Sequence, residues 1–374
     1  MSIALHIIEP TLTGQAGHCH SLVRALADSA AECDVTVWAG QAGNAHWQPP
    51  GRLVPYFHRH WRRWQGLWLL RRLLREGTQP GPAPGCGGAS RILVATAGTA
   101  DLVIADWAAG GALAAQRLFL FVHWLGNKPG KAHRLAAIAK RQPQLHILAP
   151  TVAVADFFSA CGFKTSLVPY PLAVGADRAV LPGPPVAFKH LLVAGGARLD
   201  KGFAEIVDLV AHLQSCGAQW PITVQTSTED RQRADPALQA QLCRLRGLGY
   251  RGLTLLDLAL SPEAYQALFS GALVLQPYRA QDFQDRVSGV TLDALRAGAP
   301  LVVSAGTWMA RQVQGFDAGV ATADLSAPGL LRAIETVLAD HARYAAGACQ
   351  AGASVVSQHS ARALLDVVLQ RGGP

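Results

Sequence analysis

Short apolar runs alternate along the chain with segments whose apolar positions recur every three or four residues. Residues 3–8 (IALHII) and 34–39 (DVTVWA) read as buried strands. Between them GQAGHCHSLVRALADSA reads as a glycine-containing loop and then a helix that aligns Leu22, Val23 and Leu26 on one face. Strand, loop, helix and strand make a right-handed βαβ unit. Further strands are predicted at DLVIAD (101–106), RLFLFVH (117–123) and LHILAP (145–150). A helix is predicted over TVAVADFFSACG, ended at Gly162, and TSLVPYPL (165–172) closes the first half. A Pro/Gly/Ala-rich stretch, 173–187, reads as a linker. A second series follows, with strands at HLLVAGGA (190–197), PITVQT (221–226), LTLLDL (253–258), ALVLQPY (272–278) and PLVVSAG (300–306). Helices are expected at 202–215, near 262–270 and at 288–297, and two more end the chain. This succession predicts an α/β protein of two doubly wound domains in series.

Length and composition agree. The 374 residues exceed one ordinary core, and with half of them apolar and 16% charged the chain is not disordered. The most apolar stretch, 92–115, is interrupted by Asp101, Asp106, Gly98, Gly110 and Gly111, so it predicts two buried elements and no bilayer span. MSIALHIIEP lacks a basic start and reads as the first strand, not as a signal peptide. The seven cysteines form no C-x-x-C pair, so a reducing cytoplasm is the expected compartment.

Charge is unevenly spread. Net charge is +8, and Arg52 to Arg75 contains seven arginines and no acid, which leaves the rest of the chain at +1. The same stretch carries Tyr56, Phe57, Trp61, Trp64 and Trp68 and includes a predicted helix at 60–75. Arginine with interfacial aromatics suits an anionic membrane surface. The three tryptophans share a helical face, but Arg72 and Arg75 fall near it, so a solvated basic helix packed by its tryptophans is an equal reading. Single-stranded nucleic acid ranks third, since no nucleic-acid signature accompanies the patch. Residues 77–90, rich in Gly and Pro, read as a loop.

Three segments offer chemistry. Gly14 to Gly17 lie between a strand and a helix, where backbone N–H groups can approach an anion; a plain tight turn fits equally. The segment is not G-x-G-x-x-G, and no acid ends the second strand, which disfavours a nicotinamide dehydrogenase. In GGARLDKGF (195–203), Arg198 and Lys201 open a helix directly after a strand. Two cations at a helix start can hold a pyrophosphate, and a surface basic pair is the bland alternative. In QDFQDRVSGVTLDALRAGAPLVV (281–303), Asp285 precedes a helix opened by Ser288 and Gly289, and Asp293 lies one turn inside it. Two carboxylates so spaced can grip sugar and ribose hydroxyls; the alternative is a pair of solvated helix charges. The His-x-His pairs at 18/20 and 58/60 lack a third ligand nearby in sequence and read as surface histidines, so no metal site is expected.

Taken in order, the glycine loop, a histidine after a mid-domain strand (His123 in FVHWLGN), Arg198 with Lys201-Gly202, and Asp285-RVSGVTL-Asp293 with its ALRAGAPLVV tail resemble the retaining GT-B glycosyltransferases that use nucleotide-sugar donors. The resemblance covers nearly the whole chain. It implies the GT-B fold, with two Rossmann-like doubly wound domains facing a central cleft: an acceptor-side domain at 1–172, a nucleotide-sugar domain at 188–340, and a C-terminal helix at 341–374 packing back toward the first. It implies that Gly14 and Gly17 border donor phosphate and acceptor, and that His123 meets the transferred sugar near its anomeric carbon. Arg198 and Lys201 would neutralise the leaving diphosphate, Asp285 would bind sugar hydroxyls, Asp293 the ribose, and amides at Ser288 and Gly289 the phosphate. Trp124, Asn127 and Lys128 would be acceptor contacts or plain core and surface residues. The implied reaction is metal-independent transfer of a hexose from a nucleotide-diphosphate sugar, with no further cofactor, to a saccharide or lipid-linked saccharide. It would be a cytoplasmic step of cell-surface polysaccharide or glycolipid synthesis, with peripheral placement at the inner face of the plasma membrane as the reading that Arg52–Arg75 adds. A nucleotide-sugar epimerase and an inactive nucleotide- or saccharide-binding homologue are the alternatives. This chain has aspartates where the family usually has glutamates, and Arg286-Val287-Ser288-Gly289 where it usually has Gly-Phe-Gly.

Overall fold

The apolar runs of the first half pair side by side in one parallel sheet. Its strands are β1 (Ala4–Glu9), β2 (Asp34–Gly40), β3 (Arg52–Phe57), β4 (Arg91–Val94), β5 (Leu118–Phe121), β6 (His146–Ala149) and β7 (Lys164–Leu167). They lie in the order β3-β2-β1-β4-β5-β6-β7. Leu5 sits between Val35 of β2 and Arg91 of β4. Every residue of β5 and β6 is buried, as expected for a parallel sheet covered on both faces. A second parallel sheet holds β8 (His190–Val193), β9 (Ile222–Gln225), β10 (Leu253–Leu256), β11 (Ala272–Gln276), β12 (Leu301–Ser304) and β13 (Gly319–Thr322), in the order β10-β9-β8-β11-β12-β13. This computed structural model describes residues 3–14, 18–41, 49–76, 90–124, 130–172, 185–228, 234–258 and 260–371. The chain divides into two units, Met1–Asp177 with His359–Pro374 and Arg178–Gln358.

The first sheet is covered by helices that include His18–Ser29, Arg62–Glu76, Thr99–Ala109 and Lys131–Arg141. The expected strand DLVIAD is instead part of the helix Thr99–Ala109. Leu102, Ala105 and Ala108 recur at helical spacing and are buried, and the Asp101 carboxylate accepts the Gly98 N–H at 2.8 Å. That cap, with left-handed Gly110 at the other end, favours the helix over its β-branched composition. The apolar run that does form the strand is RILV, directly before it. β3 escaped sequence reading because it lies at the sheet edge, opens with Arg52 and contains Pro55, which an edge tolerates.

In the second unit Leu191, Ile206, Val210, Leu213 and Ile334 are wholly buried around the sheet. The C-terminal stretch forms two helices. His341–Gln358 belongs to the second unit and packs on the helix Gly289–Arg296. Its Gly347 sits so close to the turn at 316–317 that a Cβ would fall 2.4 Å from two carbonyl oxygens. Ala361–Leu369 belongs to the first unit and packs on His18–Ser29. Among the described residues no helix is long and apolar enough to cross a membrane.

Gly202 links the short 3-10 turn Leu199–Lys201 to the helix Phe203–Ser215 at φ +71°, and a Cβ there would lie 2.0 Å from the Pro277 carbonyl oxygen. Only glycine fits such a site. Gly202→Ala is expected to cost about 3 kcal/mol, combining backbone strain with overpacking. Scanning calorimetry should show Tm lowered by roughly 6–12 °C; an unchanged Tm would mean that these two loops do not pack as described.

Candidate functional site

The strand order of the second unit places β8 between β9 and β11, so the chain leaves β8 on one side and β11 on the other. Loops at the carboxyl ends of such a pair flank a crevice, the usual ligand position in doubly wound sheets. Gly195, after β8, has φ +87°, and a Cβ there would lie 3.0 Å from Lys201 Nζ and 3.1 Å from Val290 Cγ2. The glycine loop, the Lys201 ammonium and the first turn of the helix Gly289–Arg296 therefore meet at one point. The Gly195 N–H is held by Gln225 Oε1 at 2.7 Å. Lys201 Nζ also stands 5.7 Å from the ring centre of Tyr278, whose phenol burial pushes up to about 12.

Beside it, Arg198 forks onto Asp200: Nε donates to Oδ1 at 2.8 Å and Nη2 to Oδ2. Arg286 approaches the same carboxylate, with Nη1 3.8 Å from Oδ2, and stacks on Phe283 at 4.9 Å. Burial and the neighbouring Arg198 lower the Arg286 pKa, yet a guanidinium keeps its charge at any physiological pH. Arg198 and Arg286 share Asp200, with Asp282 near Arg286, and the Lys201 ammonium stands alongside. Anions are what such a group can hold.

The helix start is fixed by a small buried network. Ser288 Oγ accepts the Thr291 N–H and Gln276 Nε2, both at 3.3 Å, and Thr291 Oγ1 donates to Gln276 Oε1 at 2.7 Å. The Ser288 hydroxyl is therefore committed to capping, and what this turn offers a ligand is backbone N–H. Space is open around Gly289, with nothing within 4 Å of where a Cβ would stand. Asp293 accepts the Tyr265 hydroxyl at 3.2 Å, and burial pushes its carboxyl up to about 6. Asp285, at the neck of the same loop, accepts Arg311 Nη2 at 3.2 Å.

In the first unit the equivalent gap lies between β1 and β4. It is closed by Glu9, a fully buried carboxylate that accepts the Thr11 N–H at 3.0 Å and the hydroxyls of Thr11 and Thr96. Burial raises its pKa, and those hydrogen bonds pull the other way. Gly14 lies in the turn beyond, with nothing within 4 Å of a would-be Cβ. Gly17, Asn127 and Lys128 lie outside the described residues. His123 follows β5 and packs its ring on Phe121 and Tyr170 at 5.8 and 6.0 Å; Trp124 beside it is exposed.

Of the residues expected from sequence, the structure thus brings Lys201 together with the start of the Ser288–Gly289 helix, and sets Arg198 nearby on Asp200. Sequence reasoning missed Asp200, Tyr278 and Tyr265 as members. Arg286 carried a signal, a cation where the resembling family has glycine or phenylalanine. Tyr265 carried none, since it reaches Asp293 from another helix. Among the described residues no group of three or more His, Cys, Asp or Glu could hold a metal ion.

The architecture defines a class: two doubly wound parallel sheets in one chain, the GT-B fold. Solved structures that share it include glycosyltransferases. Sucrose-phosphate synthase of Thermosynechococcus elongatus matches at 17% identity and TM-score 0.68, over 99% of this chain and 98% of that one. HepE of Anabaena, solved with UDP and glucose, matches at 14% and 0.68 over 99% and 100%. WaaG, a glycosyltransferase of lipopolysaccharide biosynthesis, matches at 15% and 0.63 over 99% and 100%. No protein-family model and no curated protein sequence matches the chain.

The Asp293 carboxyl yields a test by pH. Unfolded, it titrates near ~3.9; folded, at about 6. Below the unfolded value both states are protonated and the group costs nothing. Between the two values the unfolded chain loses its proton first, and above about 6 the native state bears the whole penalty, about 3 kcal/mol at most. Asp293→Asn keeps an acceptor for Tyr265 and should raise stability at pH 7.5 by about 1–3 kcal/mol, with little change at pH 3. Urea midpoints at the two pH values check this; destabilisation that grows toward pH 7.5 would show that the native site favours the anion.

Proposed function

We propose that the protein is a glycosyltransferase that moves a hexose from a nucleotide-diphosphate sugar to a hydroxyl of a saccharide or lipid-linked saccharide. The observation that carries this reading is the cationic group of Arg198, Lys201 and Arg286 at the β8/β11 crevice, beside Gly195 and an open helix start. A diphosphate is the ligand such a group suits: Arg forks two oxygens, Lys supplies a point charge, and free N–H groups take the remainder. As the bond from the anomeric carbon to the diphosphate breaks, negative charge collects on the departing phosphate. Fixed cations there lower the barrier most, because that charge is greatest in the transition state. They supply the counter-charge that a divalent ion would give, and transfer on this reading is metal-independent.

The remaining roles follow from the resemblance. Asp293 binds the ribose, Asp285 the sugar hydroxyls, and His123 the transferred sugar, while Gly14 and Gly17 border donor phosphate and acceptor. The anomeric configuration is retained. UDP in HepE favours a uridine donor. The work is placed in the cytoplasm, peripheral to the inner face of the plasma membrane, in polysaccharide or glycolipid synthesis.

The test is a thermal-shift series of nucleotide diphosphates and nucleotide sugars, followed by donor turnover. A ligand that binds the folded state raises Tm. Lys201→Ala and Arg286→Ala should each lose most of the shift and about 10²-fold in donor turnover. Arg332→Ala, an exposed partner of Asp324, should change neither. No shift with any nucleotide diphosphate overturns the reading, and so does an epimerised sugar released without acceptor.

A further inference from the structure

The first unit carries a groove that no part of the donor chemistry uses. Three neighbouring helices each turn one stripe toward it. Arg62–Glu76 contributes Arg63, Trp64 and Leu67, and Thr99–Ala109 contributes Val103, Ile104 and Trp107. Lys131–Arg141 contributes Lys131, Arg134, Leu135 and Ile138. The groove has a volume of about 500 Å³, the size of a small-molecule site. Its lining is sorted by chemistry, with aliphatic side chains from all three helices, two indoles and three cations.

Those indoles stand in water. Trp64 is 58% exposed and Trp107 59%, and Trp61 and Trp68 beside them are 64% exposed each. A second hollow, lined by His58, Trp61, Gln65 and Trp68, shares Trp64 with the groove. Four exposed tryptophans on one face form an apolar patch that a soluble surface does not usually leave bare. Cations outnumber acids around it. Arg63, Lys131 and Arg134 form no ion pair among the described residues. The two acids of the middle helix are engaged elsewhere: Asp101 accepts the Gly98 N–H, with Arg62 and Arg63 near enough to bias its titration, and Asp106 is held by Arg141 at 2.6 Å and by Gln142.

We propose that this face docks on an anionic bilayer and that the groove receives one anionic lipid of it, the acyl chain among Leu67, Val103, Ile104, Leu135 and Ile138 and the headgroup phosphate against Arg63, Lys131 and Arg134. Tryptophan favours the depth of the headgroups, and Arg and Lys at that level meet the phosphates. Indoles stack nucleic-acid bases as well as meeting headgroups; the aliphatic side chains that line the groove from all three helices are what favours hydrocarbon. The proposal gives residues to the peripheral placement proposed above and rests on that reading for its purpose. Its test involves neither donor nor acceptor, so the two fail separately.

The full chain is floated with vesicles of phosphatidylcholine alone and of phosphatidylcholine with phosphatidylglycerol, in low and high salt. Binding is expected to the anionic vesicles only, weakening in high salt as the phosphates are screened. Two variants divide the site: Arg63→Glu with Lys131→Glu and Arg134→Glu, and Trp64→Ala with Trp107→Ala. All five side chains lie at the rim or in solvent, and each variant should bind at least tenfold more weakly while melting as the parent does. Vesicles brominated along their acyl chains should quench tryptophan fluorescence in the parent and less in Trp64→Phe with Trp107→Phe. Equal binding to neutral vesicles, binding unchanged in both variants, no quenching by brominated chains, or displacement from vesicles by an oligonucleotide with the same residue dependence would each overturn the proposal. UDP-induced thermal shifts in the same variants report on the donor site alone.

Discussion

A parallel sheet covered on both faces leaves one place where chemistry can gather, the carboxyl ends of its strands on either side of the reversal in strand order. The two units use that place oppositely. Between β1 and β4 the protein spends a buried carboxylate: Glu9 ties Thr11 on one loop to Thr96 on the other, and the gap is stitched shut. Between β8 and β11 the side chains are Lys201, Arg198 and Arg286, with glycine at 195 where a Cβ would strike the ammonium. A seam that satisfies itself needs no ligand. A seam lined by two guanidinium groups and an ammonium suits an anion.

Much of this was legible in the chain. Four-residue apolar runs such as LFLF and LVVS, bounded by turn residues, can be little else than buried strands, and their alternation with amphipathic segments carried the fold class. Where reading failed, a local interaction had outweighed composition. DLVIAD looks like a strand until the Asp101 carboxylate is seen to cap its own helix. Arg198 and Lys201 were legible because they open a helix directly after a strand. Arg286 and Asp200 were harder, since their meeting depends on β8 and β11 being neighbours, a property of the whole sheet. The exposed faces of Trp107, Lys131 and Arg134 were hidden likewise, because helix order across a sheet is not written in any one helix.

Helix starts show how much of the site is scaffold. Ser288, Thr291 and Gln276 form a closed set of buried hydrogen bonds that anchors the helix Gly289–Arg296 to the end of β11. Tyr265 and Asp293 tie the same helix to a second one. A buried polar network of this kind stabilises only when every member is satisfied, and satisfied it holds position. Gly347 adds the other constraint, bringing the helix His341–Gln358 down on the turn at 316–317. The open N–H groups at Gly289 and the point where Lys201 meets Val290 are therefore fixed from three directions before any ligand arrives.

Asp200 completes that argument. A guanidinium has five N–H donors in a rigid fork. Asp200 takes one hydrogen from Nε and one from Nη2 of Arg198, which leaves three to offer. The carboxylate thus need not compete with an incoming phosphate. It aligns Arg198, sets Arg286 close by and relieves the repulsion between the two cations, and an anion can then bind without the rotamer entropy that a free arginine would lose. Unpaired, two half-buried guanidinium groups this close would spread apart. The acid in the middle of RLDK is what allows a concentrated positive site to exist in the folded protein at all.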